Sequence, residues 1–261
     1  MEWSGKPILA TFGTILADTI SVDQCRDYVK ARRKAGKANG TIWTELGHLR
    51  IVLKWAEKRG LCRAPYIERP AKPPPMDRHL TREQFAKLTA CCNAPHVRLF
   101  CELAIATAAR KEALLTLTWD RVRWDRGHIE LGQPNAIRPQ KGRATVPMTD
   151  TLRAALSEAH TGARTDYVIE YAGRAVKSVR TGLEAAAEAA GVGHVTPHMF
   201  RHSAAVWMAE DGVPMSEIAQ FLGHSDTRTT ERIYARYSPD YLRRAAQSLE
   251  TGRLRSAHGF K

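Results

Sequence analysis

Residues 196–234 read TPHMFRHSAAVWMAEDGVPMSEIAQFLGHSDTRTTERIY, and the punctuation of this stretch decides the fold. Thr196 and Pro197 make a helix start, with threonine as cap and proline at the first position, where its missing N–H costs nothing. Phe200, Ala204 and Trp207 then recur at helical spacing as a buried stripe. Val213-Pro214-Met215 opens a second helix, Ile218 and Leu222 fill its inner side, and Gly223 closes it. His224 follows at an exposed turn, and a further short helix leads to Tyr234. Alone, residues 228–237, RTTERIYARY, read as a helix with half-buried tyrosines at 234 and 237 among solvated Arg228, Arg232 and Arg236.

Working back along the chain, the same signals recur. Leu99, Leu103 and Ala106 form one stripe; Thr107-Ala108-Ala109-Arg110 interrupts it, and Leu114, Leu115 and Leu117 resume. Asp125-Arg126-Gly127 is a turn. His128–Leu131 and Ala144–Pro147 read as short strands around a loop holding Lys141-Gly142-Arg143. A helix starts at Asp150, and an alanine-rich helix is expected from Ala175 to Ala190, ended by Gly191. Nearer the start, Ser21-Val22-Asp23-Gln24 is a capping box, with Val22, Cys25 and Val29 as the apolar side of its helix. A second helix begins at Thr41 and carries Ile42, Leu46, Leu49, Leu53 and Ala56 inward until Gly60.

These elements predict a mainly α chain with a small β-sheet, of α+β class. Residues 1–68 form a helical module with two clear helices, 69–79 (RPAKPPPMDRH) a stiff Pro-rich linker, 80–245 a second domain and 246–261 a tail. The length of 261 residues suits two domains, and a hydrophobic content of 43% supports a real core.

Forty Lys and Arg oppose 27 Asp and Glu, a net charge of +13, which points to a polyanion. The first 75 residues hold 14 of the basic and 7 of the acidic side chains, so this end is the more basic per residue. No apolar run reaches the ~18 residues of a membrane span, and no secretory signal follows Met1. The five cysteines lack paired CxxC spacing and read as reduced thiols of a cytoplasmic protein.

His198 and Arg201 lie three apart beside a helix N-terminus, whose unpaired N–H groups and partial positive charge suit a phosphate. His198 and His202 also have a zinc-ligand spacing. However, HMFRH lacks the glutamate of a zinc hydrolase, and Arg201 between the histidines repels a cation, so no metal site is expected.

Taken in order, "LTREQ" (80–84), "TAARKEALLTLTW" (107–119), "KGRATVP" (141–147), "HMFRH" (198–202) and "LGHSDTRTTERIY" (222–234) resemble the tyrosine recombinases, also called phage-type integrases. The resemblance covers roughly residues 20–245. The ordered set is highly specific, although no single motif is. It implies a helical core-type DNA-binding domain followed by a tyrosine-recombinase catalytic domain. Position by position, Arg110 matches the first catalytic arginine, Lys141 the hairpin lysine, His198 and Arg201 the HxxR pair, His224 the next catalytic position and Tyr234 the nucleophile. Three departures stand out. Ala113 fills a place that is commonly acidic, with Glu112 one residue earlier. The glycine of the usual turn before Arg110 is missing. His224 and Tyr234 are ten residues apart where nine is usual, which makes Tyr237 a rival nucleophile.

The resemblance implies transesterification through a 3′-phosphotyrosyl intermediate, with no cofactor and no metal. Two guanidiniums neutralise the non-bridging oxygens with forked N–H pairs and stay charged at any working pH. His198 and His224 donate hydrogen bonds or shuttle the tyrosine proton, and Lys141 protonates the departing 5′ oxygen. Each such donor is worth ~3–4 kcal/mol by analogy with oxyanion holes. Arg32, Arg33, Lys34, Lys37 and Arg143 are expected to hold the DNA backbone, the two domains clamping the duplex. The expected partners are double-stranded DNA, a homotetramer on two DNA sites, and an accessory DNA-bending or directionality protein, in a bacterial cytoplasm near the nucleoid. An additional N-terminal arm-binding domain is either lacking or truncated. Integration or excision of a phage or other mobile element is the expected role. The alternatives are Xer-like chromosome resolution, type IB topoisomerase-like activity and an inactive DNA-binding protein.

Overall fold

The computed structural model describes residues 2–74, 77–132, 144–224 and 226–249. It is mainly helical with two small antiparallel sheets. The chain forms two compact units that divide between Asp77 and Arg78.

The first unit contains α1 (Glu2–Phe12), α2 (Val22–Lys34) and α3 (Asn39–Glu57). The helix α1 is absent from the sequence reading because Gly5 and Pro7 look like breakers. Burial of Ile8 and Phe12, one turn apart, against α3 outweighs that local preference. The capping box at Ser21 forms, with Ser21 Oγ accepting from Gln24 N–H and Gln24 Oε1 from Ser21 N–H. Ile42, Leu46, Leu49 and Leu53 line the inner side of α3.

An internal polar brace joins α2 to α3. Glu45 is buried on α3, where it accepts from the hydroxyl of Tyr28 at 2.9 Å and from both arms of the Arg32 guanidinium at 2.5 and 3.0 Å. Burial and the carboxylate of Glu45 push the Tyr28 phenol up, so it stays a donor. Arg32 is therefore held on this carboxylate. Its fork is drawn inward by a carboxylate that burial would otherwise leave uncompensated, whereas Arg33, Lys34 and Lys37 stay exposed.

The start of the Pro-rich segment also differs from a free spacer. The Arg69 guanidinium stacks 4.2 Å over the Trp43 ring, with the Lys72 ammonium at 5.8 Å, so this end lies on α3.

The second unit runs through α4 (Arg82–Ala90), α5 (Pro95–Thr107) and α6 (Lys111–Leu115). A sheet of β1 (Val122–Arg123), β2 (His128–Glu130) and β3 (Thr145–Pro147) follows, with Ile129 opposite Val146 and both facing the core. Lys141 and Arg143, between β2 and β3, lie outside the described residues. Next come α7 (Asp150–Thr161), β4 (Glu170–Tyr171), β5 (Arg174–Ala175) and α8 (Arg180–Ala189). The alanine-rich helix is thus shorter than expected. Ala172 and Gly173 both take positive φ, the geometry of a tight hairpin turn, and this commits Ala175 to a strand.

The last helices are α9 (Pro197–Glu210), α10 (Met215–Leu222), α11 (Thr227–Tyr234) and α12 (Arg243–Ser248). Helix α9 packs on α5 and is buried continuously from Met199 to Val206. Residues 78–80 are tied to this unit. Arg78 donates to Val192 O, Leu80 N–H donates to Ser203 Oγ at 2.8 Å, and Trp207 Nε1 donates to Leu80 O at 2.9 Å.

Arg32→Leu leaves the Glu45 carboxylate buried without its countercharge and lowers stability by about 3 kcal/mol. Lys34→Ala, at an exposed edge, changes it by less than about 0.5 kcal/mol. Urea unfolding of the two variants beside the parent chain measures both.

Candidate active site

Arg201 sits at the centre of the site and is 5% exposed. A buried guanidinium needs acceptors, and the backbone supplies two. Nη1 donates to Ala108 O at 2.9 Å, and Nη2 to Leu222 O at 2.7 Å. Nη2 also lies 3.0 Å from His224 Nε2. Arginine has no acceptor, so His224 Nε2 accepts; its Nδ1 then carries the proton and donates to Thr230 Oγ1 at 2.9 Å. Burial, then the nearby Arg110 charge, lower the Arg201 pKa to about 10, with Tyr234 acting the other way. The group stays charged at neutral pH. Two of its five N–H groups are left for another acceptor.

Each acceptor owes its place to a local signal. Thr107 ends α5, its Oγ1 donating to Leu103 O at 2.6 Å and accepting from Ala109 N–H at 3.3 Å. Ala108 then takes the left-handed conformation with φ 48°. That turn presents Ala108 O to Arg201 and sets Arg110 as the exposed cap of α6. Ala113 is buried in the core, which accounts for the missing acid, and Glu112 pairs with Lys111 at 3.0 Å. Gly223, with φ 63°, closes α10 in the left-handed region and turns the chain so that His224 comes back to Arg201.

The charge of Arg110 bears on Arg201, His198 and His224, and that of Arg201 on both histidines. His198 is open to solvent at its edge. Even so, crowding by neighbouring atoms, followed by the charges of Arg201 and Arg110, holds its pKa below the usual histidine value. His224 is lowered for the same reasons in the same order. It is half-buried and bonded through both nitrogens, less open than the exposed turn expected at this position.

Helix α11 turns Thr230 and Tyr234, four residues apart, inward and leaves Arg228 and Arg232 exposed. Tyr234 is 6% exposed and packs in a cluster with Ala205, Val206, Ile218 and Leu222. Burial raises its pKa, while the Arg201 charge works to lower it. Its hydroxyl lies 3.3 Å from Nδ1 of His202 on α9. The sequence reading weighed His202 only as a metal ligand, because nothing in the spacing of α9 says which element its ring meets. Tyr237 differs: its hydroxyl accepts from Arg236 at 3.2 Å, and its ring meets the edge of His79. Among the described residues, no group of three or more His, Cys, Asp or Glu is placed to hold a metal ion. Nor is any helix there long and apolar enough to cross a membrane.

Arg201→Lys keeps the charge but loses the fork, so at least one buried carbonyl is left without a donor. Stability falls by about 2–3 kcal/mol, read from the shift of the urea midpoint.

Residues 78–240 match the family model described as the phage integrase family. Among curated proteins, the chain is 26% identical to tyrosine recombinase XerD of Neisseria meningitidis serogroup A over 258 residues, covering 90% of this chain and 84% of that protein. Among solved structures, it superposes on a lambda integrase dimer bound to a COC′ core site with a TM-score of 0.71 at 17% identity, covering 89% of this chain and 86% of the other. The Tn1549 transposon integrase in complex with circular intermediate DNA gives a TM-score of 0.72 at 16% identity, with 92% and 88% covered. The family model spans more than half of the sequence, and the chain belongs to the phage integrase family, the tyrosine recombinases.

Proposed function

We propose that this tyrosine recombinase cuts and rejoins double-stranded DNA at a specific site, with Tyr234 as nucleophile, and that it integrates or excises a mobile element. The observation that carries the reading is the buried Arg201 fork, bonded to His224 and under the charge of Arg110, with His198 under the same two charges and Tyr234 under that of Arg201. A scissile phosphate between Arg110 and Arg201 meets two permanent cations, and the two uncommitted N–H groups of Arg201 are donors for its non-bridging oxygens. His224 orients Arg201 by accepting from it. His198, neutral at physiological pH, supplies a further hydrogen bond. Tyr234 Oη attacks phosphorus, the 5′ oxygen leaves with a proton from Lys141, and the bond energy is kept in the phosphotyrosyl link for a second 5′-hydroxyl. The exchange of two strands between two duplexes requires a tetramer. Arg33, Lys34, Lys37 and Arg143 contact backbone phosphates, and a separate DNA-bending or directionality protein sets the outcome.

The relatives also support a second reading. The curated proteins similar over most of this chain include tyrosine recombinases XerD of Neisseria meningitidis and XerA of Thermococcus kodakarensis, which supports a Xer-like chromosome-resolution role as the alternative to the mobile-element one. A DNA-relaxation assay without exchange between sites would point instead to topoisomerase-like activity.

On a duplex nicked beside the cleavage point, the parent chain traps itself covalently on DNA. Tyr234→Phe binds the same duplex with unchanged affinity and forms no adduct, whereas Tyr237→Phe still does. A persistent adduct in Tyr234→Phe removes Tyr234 from the role. DNA binding weakens steeply with salt, with a log–log slope of about −0.9 per phosphate contact.

A further inference from the structure

The two histidines that the family resemblance offers for the tyrosine proton are poorly disposed to take it. His224 has Nε2 engaged by Arg201 and Nδ1 by Thr230. At His198, crowding by neighbouring atoms and then the charges of Arg201 and Arg110 oppose a further proton. A third ring touches the phenol directly. His202 Nδ1 lies 3.3 Å from Tyr234 Oη, the ring centroids are 5.4 Å apart and tilted by 40°, and both side chains are buried.

We infer that His202 is a catalytic residue, the general base that takes the hydroxyl proton of Tyr234 as the tyrosine attacks. This rests on the reading of Tyr234 as nucleophile. As the Oη–phosphorus bond forms, the Oη–H bond breaks and its proton passes to Nδ1; the bond from phosphorus to the 5′ oxygen breaks, and that oxygen is protonated by the general acid. In the rejoining step the 5′-hydroxyl attacks and gives its proton back to the group that acted as general acid, and the released tyrosinate regains its own from His202.

The surroundings suit this task. Burial keeps the Tyr234 phenol protonated, so it needs a base to become a nucleophile. Tyr234 from α11 and His79 from the segment before α4 face His202, and Tyr237 packs against His79. The His79 and His202 ring centroids lie 6.2 Å apart, edge to face at 71°. Arg201, the residue before His202 on α9, turns its guanidinium to Ala108 and Leu222 instead. The device is the ordinary one of an acyl-transfer nucleophile and its base, applied to a phenol.

The test is single-turnover covalent trapping on the nicked duplex from about pH 6 to 9, the range in which a histidine base changes state. In the parent chain the rate rises with pH along a limb that belongs to the base. A ring-fluorinated tyrosine at 234, whose phenol is more acidic, leaves that limb in place. If the limb moves down with the phenol, the tyrosine ionises without His202 and the inference falls. His202→Asn keeps a hydrogen-bonding atom near the position of Nδ1 but cannot take a proton. Its trapping is slowed about a hundredfold or more with DNA binding unchanged, and the fluorinated tyrosine recovers part of the loss. An Asn variant as fast as the parent chain, or faster, overturns the inference and leaves His202 as a resting place for Tyr234. Absence of any adduct in the parent chain is a different failure: it removes Tyr234 as nucleophile and His202 with it.

Discussion

A permanently charged guanidinium buried among backbone carbonyls is the constraint on which the rest of this site depends. Arg201 cannot discard its proton at neutral pH, and removing it from water is costly unless its donors are met. The donors are met by the turn after α5, the end of α10 and the imidazole that follows α10. Those three places are far apart in sequence, so one side chain fixes the relative positions of α5, α9 and α10. The same side chain keeps two donors in hand. Structural anchoring and the proposed hold on a phosphate are thus two uses of one fork.

Tyr234 carries a related tension. As a core residue it closes the cluster of α9, α10 and α11, and its burial makes the phenol a weaker acid. In its proposed role as nucleophile it must lose a proton. A neighbour at hydrogen-bond distance resolves this without exposing the ring, because the proton moves only to the next side chain. The first unit treats charge in the same way on a smaller scale: Glu45 is tolerated inside because Tyr28 and Arg32 surround it.

Much of this was legible before any coordinates. Pro197, Gly223 and the Thr107 turn are backbone signals, and they act through local geometry that a one-dimensional reading captures. The stripes at 42–53 and 99–106 likewise follow from helical periodicity. What escaped depended on partners distant in the chain. Nothing near Arg32 says that Glu45, thirteen residues on, will be buried beneath it. Nothing in HMFRH says that the second histidine, and not the first, meets the tyrosine. The helix α1 escaped for the opposite reason: its local signals are poor, and only packing of Ile8 and Phe12 sustains it. Lys141 could be read only from its motif.

The alanine at 108 has a wider consequence. Its methyl occupies a left-handed turn where the family motif carries glycine, at a conformational penalty of roughly 1 kcal/mol that burial of the methyl and a stiffer unfolded chain offset. What Arg201 requires there is a carbonyl, and every amino acid has one. The motif's letters can therefore drift while the contact they serve stays the same. A pattern keyed to glycine would pass over this chain, while one keyed to the direction of a single carbonyl would find it.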